Sequence, residues 1–258
     1  MIDFKPKKGK EHKPIRVMLY GQSGLGKSTL ASMFPDPVFI DIEDRLSHLD
    51  VTKMPLCKSY KSASDPQNNF AEQLGWVMKA EHDFKTLVID TSDWLELLVL
   101  EHICGENNVQ DVSDIGYGKG YDKAASVWQD IIFALTTIQN SRKMNIVFTS
   151  HCHTTKFSDP SGETWDMYSP KLNKKPNAML IEWMDYVFFI RVKPVMKTVD
   201  EGFTKKTKAN SKVSDIVLYS RKNPTYEAKR SSELIADEIA RDDFINVIKL
   251  ITNQTEAK

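Results

Sequence analysis

Apolar residues along this chain gather in short continuous runs, set between longer stretches with a helical period. Ile15–Tyr20 (IRVMLY), Val38–Asp41 (VFID), Thr86–Asp90 (TLVID) and Asn145–Ser150 (NIVFTS) are apolar nearly throughout rather than alternating. Strands buried on both faces have that composition, which predicts a mainly parallel sheet covered by helices. Asn68–Glu81 sets Phe70, Leu74, Val77 and Met78 on one helical face, and Tyr121–Asn140 predicts a long amphipathic helix. Ser92 or Asp93 is placed to cap a helix carrying Leu95, Leu98 and Val99. Tyr186–Val192 and Asp215–Ser220 predict further strands, and Ser231 or Ser232 opens a last helix to about Ile251. Two polar stretches, 44–67 and 151–182, show neither period, and the second is too long for an ordinary connector. The expectation is one α/β domain over residues 15–258, with a β-hairpin region and a helix toward the C-terminus. A flexible, basic stretch of residues 1–14 precedes it.

The first candidate chemistry sits where the first strand ends. Gly21-Gln22-Ser23-Gly24-Leu25-Gly26-Lys27-Ser28 matches the P-loop pattern in full, with a strand before it and a short helix after it that Pro35 stops. The glycines let the backbone turn tightly, so that successive N–H groups face a phosphate chain. The start of the following helix adds its positive dipole end. Lys27 is suited to neutralise β/γ-phosphate charge, Ser28 to ligate Mg2+, and Thr29 completes the phosphate-binding set. Asp90 closes the apolar strand TLVID and is the candidate second carboxylate of the magnesium site. The predicted ligands are ATP and Mg2+.

Hydrolysis also needs a group that orients or deprotonates the attacking water. A Glu directly after the strand-end Asp would serve, but that position is Thr91. Glu43, in VFIDIE at the end of the second strand, is the candidate, because the C-terminal tips of parallel strands converge on one edge. Asp41 lies two residues earlier on the same side and is its rival.

The combination of a P-loop, FID-x-E, a strand ending in Asp and a fourth strand ending in a polar residue resembles the RecA/RadA core. In detail it is most similar to the core-only RecA-like ATPases of bacteriophages that act in single-strand annealing and recombination. The similar elements are YGQSGLGKSTLASMFPDPVFIDIE, LVIDT, GYGKGY, IVFTSH, YSPKL and AKR, together spanning residues 15–230. The resemblance implies that Glu43 activates water and that His151 senses the γ-phosphate. It implies that Cys152 to about Pro176 forms a mobile DNA-binding loop. It also implies that Lys229 and Arg230 reach the phosphate of a neighbouring subunit in a homo-oligomer. Two departures stand out: the sensor is His rather than an amide, and no separate N-terminal oligomerisation or DNA-binding domain is evident.

Charge and composition bear on partners. Formal net charge over the 258 residues is zero, so any nucleic-acid binding must come from a local patch. Nine Lys/Arg stand against three Asp/Glu between Arg191 and Lys222, with Lys171, Lys174 and Lys175 just before. Such a concentration can bind DNA phosphates in a salt-sensitive way, and Trp165, Tyr168 and Phe203 are candidates to stack on unpaired bases. The alternative is a solvated hairpin with one charged face. His151-Cys152-His153 is too tightly spaced for zinc-finger geometry. Three cysteines at wide spacings predict no disulfide framework and a reducing, cytoplasmic setting, the host cytoplasm for a phage-encoded chain. No apolar run approaches the roughly 20 residues of a membrane span.

These features predict a DNA-stimulated ATPase acting on single-stranded DNA, with a single-strand-binding or replication protein as a further partner. Two rivals remain at this level: a nucleotide-switched adaptor, and a small-molecule kinase, which lacks an evident Arg-rich lid between residues 91 and 145.

Overall fold

The computed structural model describes residues 13–193, 195–201, 204–210 and 215–252, with residues 5, 8 and 9. Most of the basic N-terminal stretch and Phe203 lie outside the described residues, as do the side chains of the basic segment 195–210.

Eleven strands and six α-helices are present among the described residues. In chain order they are β1 (Arg16–Gly21), α1 (Lys27–Ala31), β2 (Pro37–Asp41), β3 (Thr52–Lys53), α2 (Phe70–Lys79), β4 (Thr86–Asp90), α3 (Ser92–Asn107), α4 (Lys119–Arg142), β5 (Asn145–Ser158), β6 (Thr164–Pro170), α5 (Lys174–Trp183), β7 (Tyr186–Val192), β8 (Val195–Glu201), β9 (Thr204–Asn210), β10 (Ile216–Tyr219), β11 (Glu238–Ala240) and α6 (Phe244–Ile251).

The main sheet runs β11-β10-β7-β1-β5-β4-β2-β3. From β7 to β3 every neighbouring pair is parallel, and β10 and β11 add an antiparallel edge. Alternate residues of the central strands feed two cores. Met18, Tyr20, Ile40, Leu87, Ile89, Ile146 and Phe148 pack under α2–α5. Val17, Leu19, Phe39, Val88 and Val147 pack with Leu30 of α1 and with Phe244 and Ile248 of α6. Both sheet faces are therefore dry, which is why the strands carry no polar alternation. The architecture is a mainly parallel sheet flanked by helices, with the P-loop at the end of a central strand and a C-terminal hairpin (β8–β9) and helix.

Four expectations change. Residues 151–182 are not an irregular loop. β5 continues eight residues past Ser150 and pairs antiparallel with β6 from Cys152–Pro170 to Ser158–Thr164, and α5 follows. The polar composition reflects a two-stranded ribbon with one solvated face, not missing structure. Lys53 and Thr52 form a short edge strand inside the stretch 44–67. The last helix starts at Phe244 rather than Ser231 or Ser232, because Glu238–Ala240 first pairs with β10. Thr91, not Ser92 or Asp93, is the N-cap of α3, without a side-chain cap bond, and Asp93 turns inward instead.

α3 is tied to α5 by Glu96, which is buried. Both its carboxylate oxygens accept the Asn173 backbone N–H, at 3.1 and 2.9 Å, where α5 begins. Burial pushes the Glu96 carboxyl up to about 7, against the lowering effect of that N–H. Between roughly pH 4.5 and 7 the folded chain thus keeps a proton that the unfolded chain releases, so Glu96 makes stability fall as pH rises through this window. Glu96→Gln should therefore gain stability relative to wild type on going from pH 5 to pH 8, by about 2 kcal/mol. Urea unfolding at both pH values measures this, and an equal difference at the two would refute it.

Candidate nucleotide site

The P-loop leaves β1 at a point where only glycine fits. A Cβ on Gly21 would lie 2.3 Å from the Ile190 carbonyl oxygen of neighbouring β7. Gly24 and Gly26 then take φ of 80° and 78°, the left-handed region that favours glycine. Leu25 anchors the loop in the core under α1. Gln22 and Ser23 are exposed, and the Gln22 carbonyl accepts from Lys27.

Lys27 is buried, with its ammonium donating to the Gly21 and Gln22 carbonyl oxygens at 3.2 and 2.9 Å. Burial lowers its pKa, opposed by the nearby carboxylates Asp90, Asp93 and Glu43. At the tip of β4, Asp90 is also buried and accepts from the Ser28 hydroxyl at 3.1 and 2.9 Å, one bond to each oxygen. The Thr149 hydroxyl, from adjacent β5, donates to it as well. Burial raises the Asp90 carboxyl, and these two hydroxyls partly offset the shift. A buried ammonium bonded only to carbonyls and a buried carboxylate bonded only to hydroxyls each keep bonding capacity for a ligand. Phosphate oxygens would satisfy the first. A divalent cation at Ser28 and Asp90 would satisfy the second, so the donor set fits a nucleotide with Mg2+.

A cavity of about 390 Å3 opens here, with Lys27, Ser28 and Thr29 on one wall and Glu43 and His151 on another. His151 lies on β5 in register with Gly21 on β1, which brings it beside the loop. Asp93 holds it twice: one carboxylate oxygen accepts the His151 backbone N–H at 2.9 Å, and the other lies 2.9 Å from Nδ1. Burial works to raise Asp93, but the bonds from His151 outweigh it and the net shift is downward. With Nδ1 engaged, Nε2 faces Glu43, whose Oε1 is 3.9 Å away. Glu43 is raised by burial, with His151 pulling the other way. Asp41, the rival, is not available: Lys53 pairs with it at 3.1 Å and the Asp44 N–H donates to it.

The predicted residues divide clearly. Gly21 to Thr29, Glu43, Asp90 and His151 come together around this cavity. Lys229 and Arg230 do not. The Lys229 backbone pairs with Val187, and its ammonium donates to the Ile181 and Glu182 carbonyls beyond the N-terminal end of β7. Arg230 bonds Asp237 and Glu233. Both are thus engaged within the chain at the sheet edge opposite the P-loop. Of the predicted stacking aromatics, Tyr168 packs on Phe189 at 5.1 Å, and Trp165 packs on Phe157 and donates to the Pro224 carbonyl. His153 joins no metal site, and no group of three or more His, Cys, Asp or Glu able to hold a metal occurs among the described residues.

A family model for an AAA domain matches residues 13–232, which include every group just described around the cavity. The chain belongs to this AAA_24 family. None of the curated proteins matches it. Among solved structures, the flagellar accessory protein FlaH from Methanocaldococcus jannaschii is similar at 12% identity and a TM-score of 0.36, over 88% of this chain and 91% of that one. No helix among the described residues is long and apolar enough to cross a membrane.

Several residues of the AAA domain's site were not foreseen: Arg45, Ser47 and His48 line the cavity, Arg45 pairing with Glu43 at 3.3 Å, and Asp93 and Thr149 support it from behind. Asp93 looks like a helix cap in sequence, and Thr149 looks like the end of an apolar run. Only the pairing of β4 with β5 brings Thr149 to Asp90. Since Asp93 fixes which imidazole nitrogen faces the cavity, Asp93→Asn should lower ATP turnover by at least about 10-fold while leaving Mg·ATP affinity within about 3-fold. Steady-state kinetics paired with nucleotide titration would check this, and wild-type turnover would sink the positioning role.

Proposed function

We propose that this AAA domain is a magnesium-dependent ATPase that acts on single-stranded DNA in recombination or annealing. The observation that carries the hydrolytic part is the line Asp93–His151–Glu43 facing Lys27 across one cavity. Glu43 accepts the proton of a water as its oxygen attacks the γ-phosphorus in line, and ADP leaves with the bridging oxygen. Lys27 and the P-loop amides meet the charge that develops on the phosphate chain. Mg2+ held by Ser28 and Asp90 would neutralise charge on the terminal phosphates. His151 presents Nε2 to the γ-phosphate while Asp93 holds the ring in place. Burial raises the Glu43 carboxyl, which makes it a stronger proton acceptor than an ordinary exposed carboxylate.

The DNA part is supported by connectivity. The strand that carries His151 continues without a break into the β5–β6 ribbon, so the γ-phosphate sensor and the ribbon share one backbone. Lys156 lies on the exposed face of the ribbon, and Lys171 and Lys174 are exposed at its base. With Tyr168 packed on Phe189 and Trp165 paired with the exposed Phe157 on the ribbon, affinity would rest on the cations together with that aromatic pair and would fall steeply with salt. A homo-oligomer belongs to this reading, although Lys229 and Arg230 reach a neighbour only by leaving their present partners.

Lys27→Ala should abolish turnover, and Glu43→Gln should keep Mg·ATP binding while losing hydrolysis by about 100-fold or more. Wild-type turnover in Glu43→Gln would refute the assignment. Phosphate release should rise on adding single-stranded DNA at low salt, with the gain lost in a salt series. Release that ignores DNA at every salt would favour the nucleotide-switched adaptor instead.

A further inference from the structure

Beyond the family's matched segment, the chain returns to the P-loop. β11 pairs with β10 so that Ala240 faces Val217, at the same sheet edge as the strand tips that carry the site. A single turn, Arg241–Asp243, follows, and then α6. α6 is fixed on the face that carries α1: Phe244 is fully buried, with ring contacts to Phe34 at 6.4 Å and Phe188 at 5.2 Å. This packing sets Arg241 directly against the P-loop. A Cβ on Gly26 would lie 2.9 Å from the Arg241 Nη2, 3.4 Å from Cζ and 3.6 Å from Nε. The guanidinium therefore rests on a loop residue that has no side chain to hold it away. Among the described residues it makes no hydrogen bond and no ion pair, whereas Arg16 and Arg230 pair with carboxylates.

A permanent cation with unused donors, packed on the backbone of a phosphate cradle, is placed to bind an anion in that cradle. Gly26 itself lines the cavity. We propose that Arg241 is a nucleotide-binding residue that engages the polyphosphate chain from the Gly26 side, in the same chain as the P-loop. The inference rests on the reading of the cavity as a Mg·ATP site. It adds a charge from outside residues 13–232, and it makes α6 part of the site.

The chemistry asked of Arg241 is binding, not hydrolysis, so its removal should act on affinity. Arg241→Gln keeps most of the stem that packs on Gly26 and removes the charge. Titration of the purified chain should give Arg241→Gln about 10-fold weaker affinity for Mg·ATP than wild type at low salt, with kcat at saturating ATP within about 2-fold. Affinity for inorganic tripolyphosphate should fall by a similar factor, Arg241→Lys should recover part of both losses, and the gap should narrow at high salt. Equal ATP affinity in wild type and Arg241→Gln overturns the proposal while leaving the P-loop reading intact. Weaker ATP binding with unchanged tripolyphosphate binding also overturns it, in favour of a contact to the base. A wild-type chain that binds neither ligand overturns both this and the ATPase reading. Unfolding of Arg241→Gln without ligand separates the charge from packing: a lower melting temperature with unchanged affinity would mean that Arg241 only fills space.

Discussion

Two buried charges of opposite sign, each bonded only to neutral groups, are the constraint around which this molecule is arranged. The Asp90 carboxylate at the tip of β4 and the Lys27 ammonium, on the cavity wall beside the tip of β1, are both buried, and the two strands are separated by a single neighbour, β5. Backbone carbonyls and hydroxyls soften the cost of their burial without cancelling it. Holding both in place takes rigid support, and the sheet provides it. β1 and β4 flank β5, so the strand ends beside Asp90 and beneath Lys27 are held by two parallel ladders, and Lys27, at the start of α1, bonds back to the Gly21 and Gln22 carbonyls. The close passage of Gly21 beside Ile190 belongs to the same design, since it holds the start of the P-loop against β7.

Much of this was legible in the sequence because the sequence states it in two redundant ways. The four continuous apolar runs announce strands covered on both faces, and the octapeptide after the first of them fixes which strand tip binds phosphate. Asp90 and Glu43 followed from that edge, because parallel strands end on a common side. Asp41 and Glu43 could not be separated by periodicity, which gives both the same orientation. What separates them is a tertiary contact: Lys53, on a two-residue strand too short to show a pattern, claims Asp41 and leaves Glu43 to the cavity.

The ribbon and the helix α5 were hidden for a different reason. A two-stranded arm has one face in solvent and little core of its own, so its residues carry no strong apolar period and resemble a connector. Asp93 was hidden by ambiguity of chemistry, since an acid in the first turn of a helix looks like a cap whatever it bonds. Arg241 gave no signal at all. Only the packing of Phe244 beside Phe34 and Phe188 brings the end of the chain back to its beginning.

The fourteen residues of β5 span roughly 45 Å, of which about 23 Å lie beyond His151. A strand of that length, stiffened by its pairing with β6, behaves as a beam clamped at one end. A tilt of only about 5° at the clamp would carry the free tip through about 2 Å, by simple proportion from that span. His151 stands at that clamp, so the residue beside the P-loop and the tip of the ribbon are the two ends of one lever.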